Sequence, residues 1–147
     1  MLFRSTFVDY FEQLFSSSWP RVEPELIDAV HSKVIDRMNS ILTQDFQAVE
    51  VEKALKQMHP LTASGLDGMP PLFYHHFWPT VKSIVIHTAL TFLNHGRASP
   101  KFHDTHIVLI PKIKNPEKVT DFKPISLCNV AYKIASKAVA NRMKVML

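Results

Sequence analysis

The hydrophobic period of this chain is helical except over one short stretch, and that switch limits the architectures open to it. Up to Leu93 the apolar residues recur every three or four positions, the spacing of a helix face. At Thr105-His106-Ile107-Val108-Leu109-Ile110 the pattern becomes a short, β-branched, nearly continuous run closed by Pro111, which reads as a buried strand. Lys112 to Thr120 is a polar loop with an Asn115-Pro116 turn, and Phe122 to Ser126 reads as the returning strand. Pro124 has no N–H to give to a ladder, so it belongs at an edge or a bulge. From Leu127 the helical spacing resumes through Val130, Ala131, Ile134, Ala135, Ala138, Val139 and Met143, with Ser126 as the candidate cap. The fold class that follows is α+β, mostly helical, with one short β-hairpin near the C-terminal third.

The helices before the switch have legible limits. Phe3, Phe7, Tyr10, Phe11, Leu14 and Phe15 place an amphipathic helix from Met1 to about Ser18. Pro24 suits a first helical turn, and Leu26, Ile27, Val30, Val34, Met38, Ile41 and Leu42 continue a second stripe. A third helix is expected from about Asp45, capped by Asp45 or Thr43, with Phe46, Val49, Val51, Ala54, Leu55 and Met58 inward, stopping at His59-Pro60. The segment Leu61 to Gly68 holds two of the chain's three glycines, the mark of a tight turn with positive φ. Pro70-Pro71 then open a long helix from about Leu72, with a break expected near Pro79 and an end at Asn94, Gly96 and Pro100. The last helix carries neither Gly nor Asn as a stop and runs out on apolar residues, the pattern of the front part of a longer unit.

Composition removes several function classes. At 147 residues, 46% hydrophobic and 20% charged, this is a folding chain of about one ordinary domain. No run of about eighteen apolar residues exists, which argues against a membrane-spanning helix. The first twenty residues lack a secretory cleavage pattern, and a lone Cys128 favours a reducing compartment, nuclear or cytoplasmic. The eight histidines form no HExxH motif and one cysteine cannot build a thiolate cluster, so no metal site is expected. Ser64-Gly65-Leu66-Asp67-Gly68 lacks the Lys-Ser/Thr that follows a phosphate loop, and no nucleophile with a placed base is visible, so no catalytic residue is assigned.

Charge points elsewhere. The net +4 divides into −2 over residues 1–100 and +6 over residues 101–147. Lys112 sits just past the first strand and Lys123 at the start of the second, where residues flanking a ribbon loop can form a cationic clamp for phosphate oxygens. Lys133, Lys137 and Lys144, at spacings of four and seven, share one face of the last helix and are candidates for contact with a nucleic-acid backbone. The plain alternative is solvated lysines on a loop and a helix.

Three blocks, in order, resemble the amino-terminal part of the reverse transcriptase of plant non-LTR (LINE-type) retrotransposons. Ala63-Ser64-Gly65-Leu66-Asp67-Gly68-Met69-Pro70, followed by Phe73-Tyr74 and Trp78, resembles the family's KAPGPDGxP segment. Thr105 to Lys112 is similar to TxIxLIPK. Asp121-Phe122-Lys123-Pro124-Ile125-Ser126-Leu127-Cys128-Asn129-Val130, with Tyr132-Lys133-Ile134, Lys137 and Ala140-Asn141-Arg142-Met143-Lys144, is similar to DFRPISLCNVxYKIxxKxxANRLK. The sequence departs from the family at Thr62, Ser64 and Leu66, at His103, and at Lys123, where Arg is usual; together these suggest a decayed copy.

The resemblance implies residues 1–44 as a helical connector preceding the polymerase and 45–147 as part of the fingers of a right-hand polymerase, without the palm. It places Lys112 and Lys123 near the phosphates of an incoming nucleotide. The family's catalytic aspartates, which hold two magnesium ions, come later than Leu147, so the chain itself is expected to bind no metal and not to polymerise alone. Expected partners are an RNA or DNA backbone, a deoxynucleoside triphosphate, and the palm region; no membrane is expected. The alternatives are a non-catalytic nucleic-acid-binding module or a non-functional, pseudogene-like remnant.

Overall fold

A computed structural model of the chain describes residues 2–18 and 35–145. Among these the fold is α+β, with six α-helices and a two-stranded ribbon. The second predicted stripe lies partly outside the described residues, at Pro24, Leu26, Ile27, Val30 and Val34, as does the side chain of Phe3. The chain divides into two units, Met1–Lys33 with Leu109–Ile125, and Val34–Val108 with Ser126–Leu147.

The second unit is helical: α2 is Asp36–Leu42, α3 Ala48–Lys56, α4 Pro71–His76, α5 Trp78–His95 and α6 Val130–Lys144. Its core comes from Val51, Ala54 and Leu55 of α3, Val85 and Ala89 of α5, and Val130, Ile134, Ala135 and Ala138 of α6, closed by Tyr74 and Phe102. The alanines matter because interaxial distance follows side-chain size at the contact, so small residues bring α3 and α6 close together. Phe92, Phe102 and Tyr132 form an aromatic triangle beside it, with ring centroids 5.1–6.0 Å apart.

Several helix limits differ from the sequence reading. Helix α3 starts at Ala48, after Gln47, whose N–H donates to Glu50 Oε2 at 2.9 Å. Thr43 closes α2 instead, donating its hydroxyl to the Asn39 carbonyl at 2.9 Å. The expected break falls at Phe77 (φ −96°, ψ 17°), just ahead of Pro79. A proline ring clashes with the carbonyl four residues earlier, here His75, so α4 must end before Pro79 can sit in the first turn of α5. Gly96 ends α5, and Asn94 does something the sequence does not announce. Its Oδ1 accepts the Phe46 N–H at 2.8 Å and its Nδ2 donates to the Phe46 carbonyl at 3.1 Å, a side-chain imitation of a backbone pair.

In the first unit, α1 is Leu2–Phe15, with Phe7 edge-on to Phe122 at 5.3 Å and Phe15 69% exposed. The ribbon runs from β1, Thr105–Pro111, to β2, Phe122–Cys128; its tip, Leu109–Ile125, belongs to the first unit, and the remaining residues of both strands belong to the second. The Lys112 N–H donates to the Asp121 carbonyl at 2.7 Å, and Thr105 Oγ1 lies 3.3 Å from Cys128 Sγ. Both pairings belong to one antiparallel register. In it Pro124 faces Leu109 in a non-hydrogen-bonded pair, so its missing N–H falls on the outer edge and costs the ladder nothing.

Two expectations are corrected here. Strand β1 is not buried: Ile107 is 56% and Ile110 45% exposed, because a two-stranded ribbon has no second layer of its own to cover it. Ser126 does not cap α6; it lies within β2, and the helix begins after Asn129. A nearly continuous apolar run specifies a strand but not what will cover it.

Candidate nucleic-acid interface

At the ribbon tip the register decides which side chains share a face. The Lys112 N–H pairs with Asp121, so Lys123, two residues further on, lies opposite Ile110. The two-residue alternation of side chains puts Lys112 and Lys123 on one face, whereas the Asp121 carboxylate is turned back into the 3-10 turn Val119–Asp121. The lysines are diagonal neighbours across the ribbon, a separation of roughly 7–8 Å for such pairs. Lys112 is already oriented: its Nζ donates to the Thr120 carbonyl at 2.8 Å. Lys123 is exposed. The Asp121 carboxylate accepts backbone N–H groups from Lys118 at 2.9 Å and Glu117 at 3.0 Å. These hydrogen bonds, with the charges of Lys118 and Lys112, hold its carboxyl below the usual value.

Along α6 the three lysines share a face by helical geometry but differ in what they touch. Lys133 Nζ donates to the Ala63 carbonyl at 2.6 Å, so this ammonium braces the 63–68 turn. Lys137 is half-buried and Lys144 exposed.

The glycine-containing turn is seated on the start of the same helix. Asn129 Oδ1 accepts the Asp67 N–H at 3.3 Å, and its Nδ2 donates to the Lys101 carbonyl at 3.2 Å. Gly65 lies flat against Asn129, leaving no room for a side chain. Gly68 closes the turn, donating its N–H to the Gly65 carbonyl at 3.2 Å with φ +68°. The positive φ expected of this segment therefore belongs to Gly68, whereas Gly65 is required for close approach. Behind the turn, burial pushes the Tyr74 phenol up to about 12, with the Asp67 charge adding to the shift.

The strongest polar junction involves a residue to which sequence reasoning assigned no role. The Arg142 guanidinium donates to Glu50 Oε1 from Nε at 3.0 Å and Nη2 at 2.9 Å, and to Oε2 from Nη2 at 2.8 Å. It also donates to the carbonyls of Leu42, Gln44 and Asp45, and its carbon lies 3.6 Å from the Phe46 ring centroid. Its side chain is 9% exposed. Arg142 is nine residues from Lys133, half a turn round the helix, so the face holding Glu50 is opposite the lysine face. Burial alone would raise the Glu50 carboxyl, but the Arg142 and Gln47 hydrogen bonds and the Arg142 charge outweigh it and hold it below 4.5. Beside the junction is an open cleft of about 520 Å³ lined in part by Gln44, Lys53 and Asn141.

Among the described residues, no three of His, Cys, Asp and Glu come together. No helix among the described residues is long and apolar enough to cross a membrane.

The chain is similar to the "Transposon TX1 uncharacterized 149 kDa protein" of Xenopus laevis, 27% identical over 143 residues, which covers 94% of this chain and 11% of that protein. The chain thus spans about 11% of the length of the curated relative it matches. No protein-family profile matches the chain.

Proposed function

We propose that this chain is a piece of a non-LTR retrotransposon reverse transcriptase, with connector helices in 1–44 and part of the fingers in 45–147. It binds nucleotide or nucleic-acid phosphates through the ribbon tip and does not polymerise alone. The observation that carries this reading is the ribbon register, which puts Lys112 and Lys123 on one face with Lys112 already oriented. Two lysines on one face can both reach the oxygens of a phosphate group, since each ammonium acts as a point charge on a long stem. The similarity to a transposon protein along nearly the whole chain supports the retrotransposon origin. It bears on the transposon class, not on the plant subgroup, which rests on the three sequence blocks alone. Lys137 and Lys144 extend the same chemistry to a nucleic-acid backbone, and the palm region is the partner that would supply the metal-binding aspartates.

Titrating a fluorescent single-stranded RNA tests the binding reading. The double variant Lys112→Ala, Lys123→Ala is expected to bind about tenfold more weakly, with the slope of log affinity against log salt reduced by about two. Unchanged affinity, or affinity insensitive to salt, would count against it. In a primer-extension assay with magnesium or manganese, the purified chain is expected to give no product; heat-labile extension would overturn that part.

The remnant reading has a specific observation in its favour. Ile107, Val108 and Ile110 on β1, and Leu14 and Phe15 on α1, are exposed, and uncovered strand edges invite aggregation. Size exclusion and thermal melting decide it, because a monomer with a cooperative melt argues against a remnant that cannot fold.

A further inference from the structure

Lys112 reaches its position through a loop, and one residue ties that loop end to end. The Asp121 side chain accepts the N–H groups of Glu117 and Lys118, while its own N–H donates to the Lys118 carbonyl at 3.0 Å, closing the 3-10 turn Val119–Asp121. Its carbonyl accepts the Lys112 N–H at 2.7 Å, and the preceding carbonyl, of Thr120, accepts Lys112 Nζ at 2.8 Å. The main chain of Asp121 thus pairs with Lys112 at the start of the 112–121 loop, while its side chain holds the interior of the loop at Glu117 and Lys118, next to the Thr120 carbonyl that accepts the Lys112 ammonium.

We propose that Asp121 is the positioning residue of the Lys112–Lys123 pair, closing the ribbon tip so that both ammonium groups meet a phosphate group from one side. This rests on the phosphate-binding reading above and assigns it a further residue. An acid between two lysines suggests the opposite role, a built-in competitor for the anion. The geometry argues against that role because the carboxylate is turned into its own loop, where two backbone N–H groups disperse its charge. Lysine has much rotamer freedom to lose, so a stem anchored in advance loses less of it when an anion arrives.

The two roles predict opposite signs. Calorimetry with inorganic tripolyphosphate is expected to show Asp121→Ala binding about tenfold more weakly than the native chain. Asp121→Asn keeps an oxygen acceptor for the loop N–H groups and is expected to bind as well as the native chain or better, since it also removes a negative charge. Amide hydrogen exchange at Glu117 and Lys118 should be slow in the native chain and in Asp121→Asn and fast in Asp121→Ala. Tighter or equal binding by a folded Asp121→Ala, or unchanged exchange at those amides, overturns the inference. Should Asp121→Ala fail to fold, a folded Asp121→Asn that has lost affinity overturns it equally. The lysine double variant separates the two layers: if it leaves tripolyphosphate binding intact, the phosphate reading itself falls, whereas its loss beside an unaffected Asp121→Ala removes only the positioning role. Competition of tripolyphosphate against dATP and against RNA tells a nucleotide triphosphate from a nucleic-acid backbone as the source of the phosphate.

Discussion

Gly65→Ala is expected to destabilise the protein by about 3 kcal/mol, the upper range for overpacking, and to lower the melting temperature by roughly 6–12 °C. A methyl group on Gly65 would meet the side-chain oxygen and main-chain nitrogen of Asn129, and its Cα at 2.6 Å. A side chain can rotate away, but the main-chain nitrogen and Cα of Asn129 cannot, because they begin α6 beside the fully buried Val130. The turn must lift instead, losing the Asp67-to-Asn129 hydrogen bond and the Lys133 brace at Ala63. Two controls separate space from conformation. Gly68→Ala meets nothing within 4 Å but must hold φ +68°, so it should cost only about 1–2 kcal/mol. Asn129→Ala combined with Gly65→Ala should not restore stability, since the obstructing backbone stays in place. Thermal melts of the four chains check this, and a Gly65→Ala protein as stable as the native one would show that the turn is not seated as described.

Arg142→Ala should be nearly as damaging, at roughly 2–3 kcal/mol, because it leaves Glu50 and three carbonyls without their shared donor. Glu50 keeps 30% side-chain exposure, so water recovers part of the loss and the value stays below that of a fully buried pair. Arg142→Lys should recover little, since one ammonium cannot serve the carboxylate and the carbonyls together while lying flat on Phe46. A double-mutant cycle with Glu50→Ala should return a coupling of about 1–2 kcal/mol. The pH dependence has a definite sign. The folded-state pKa of Glu50 is lowered, so its contribution is present above the ordinary value of 4.5 and is lost as pH falls through the lower folded value. The gap between native chain and Arg142→Ala, measured by urea unfolding, should therefore narrow in acid. A gap independent of pH would mean that Arg142 acts through its carbonyl and Phe46 contacts alone.

Tyr74 shows how burial and sequence can diverge at one residue. The sequence presents an aromatic that follows the glycine-containing turn, with no burial assigned to it, whereas the folded chain places it at 6% exposure near the Asp67 carboxylate. Nothing local distinguishes it from Phe73 beside it, because burial depends on which elements arrive from elsewhere in the chain.

Secondary structure and class were legible because they depend on periodicity and local backbone chemistry. The apolar stripe of Val51, Ala54 and Leu55, the β-branched run from Thr105, the break ahead of Pro79 and the end at Gly96 are short-range signals, and each appears in the fold. That Lys112 and Lys123 flank one ribbon loop was also legible, since the two strands and the polar loop between them are local patterns. Only the tertiary structure decided the rest. Arg142 meets Glu50 across 92 residues, Asn129 meets Asp67 across 62, and Asn94 meets Phe46 across 48. A polar side chain in a sequence looks alike whether it will face water or complete a distant backbone. Which of these it does is settled only when packing of the apolar faces brings an unpaired donor or acceptor within reach.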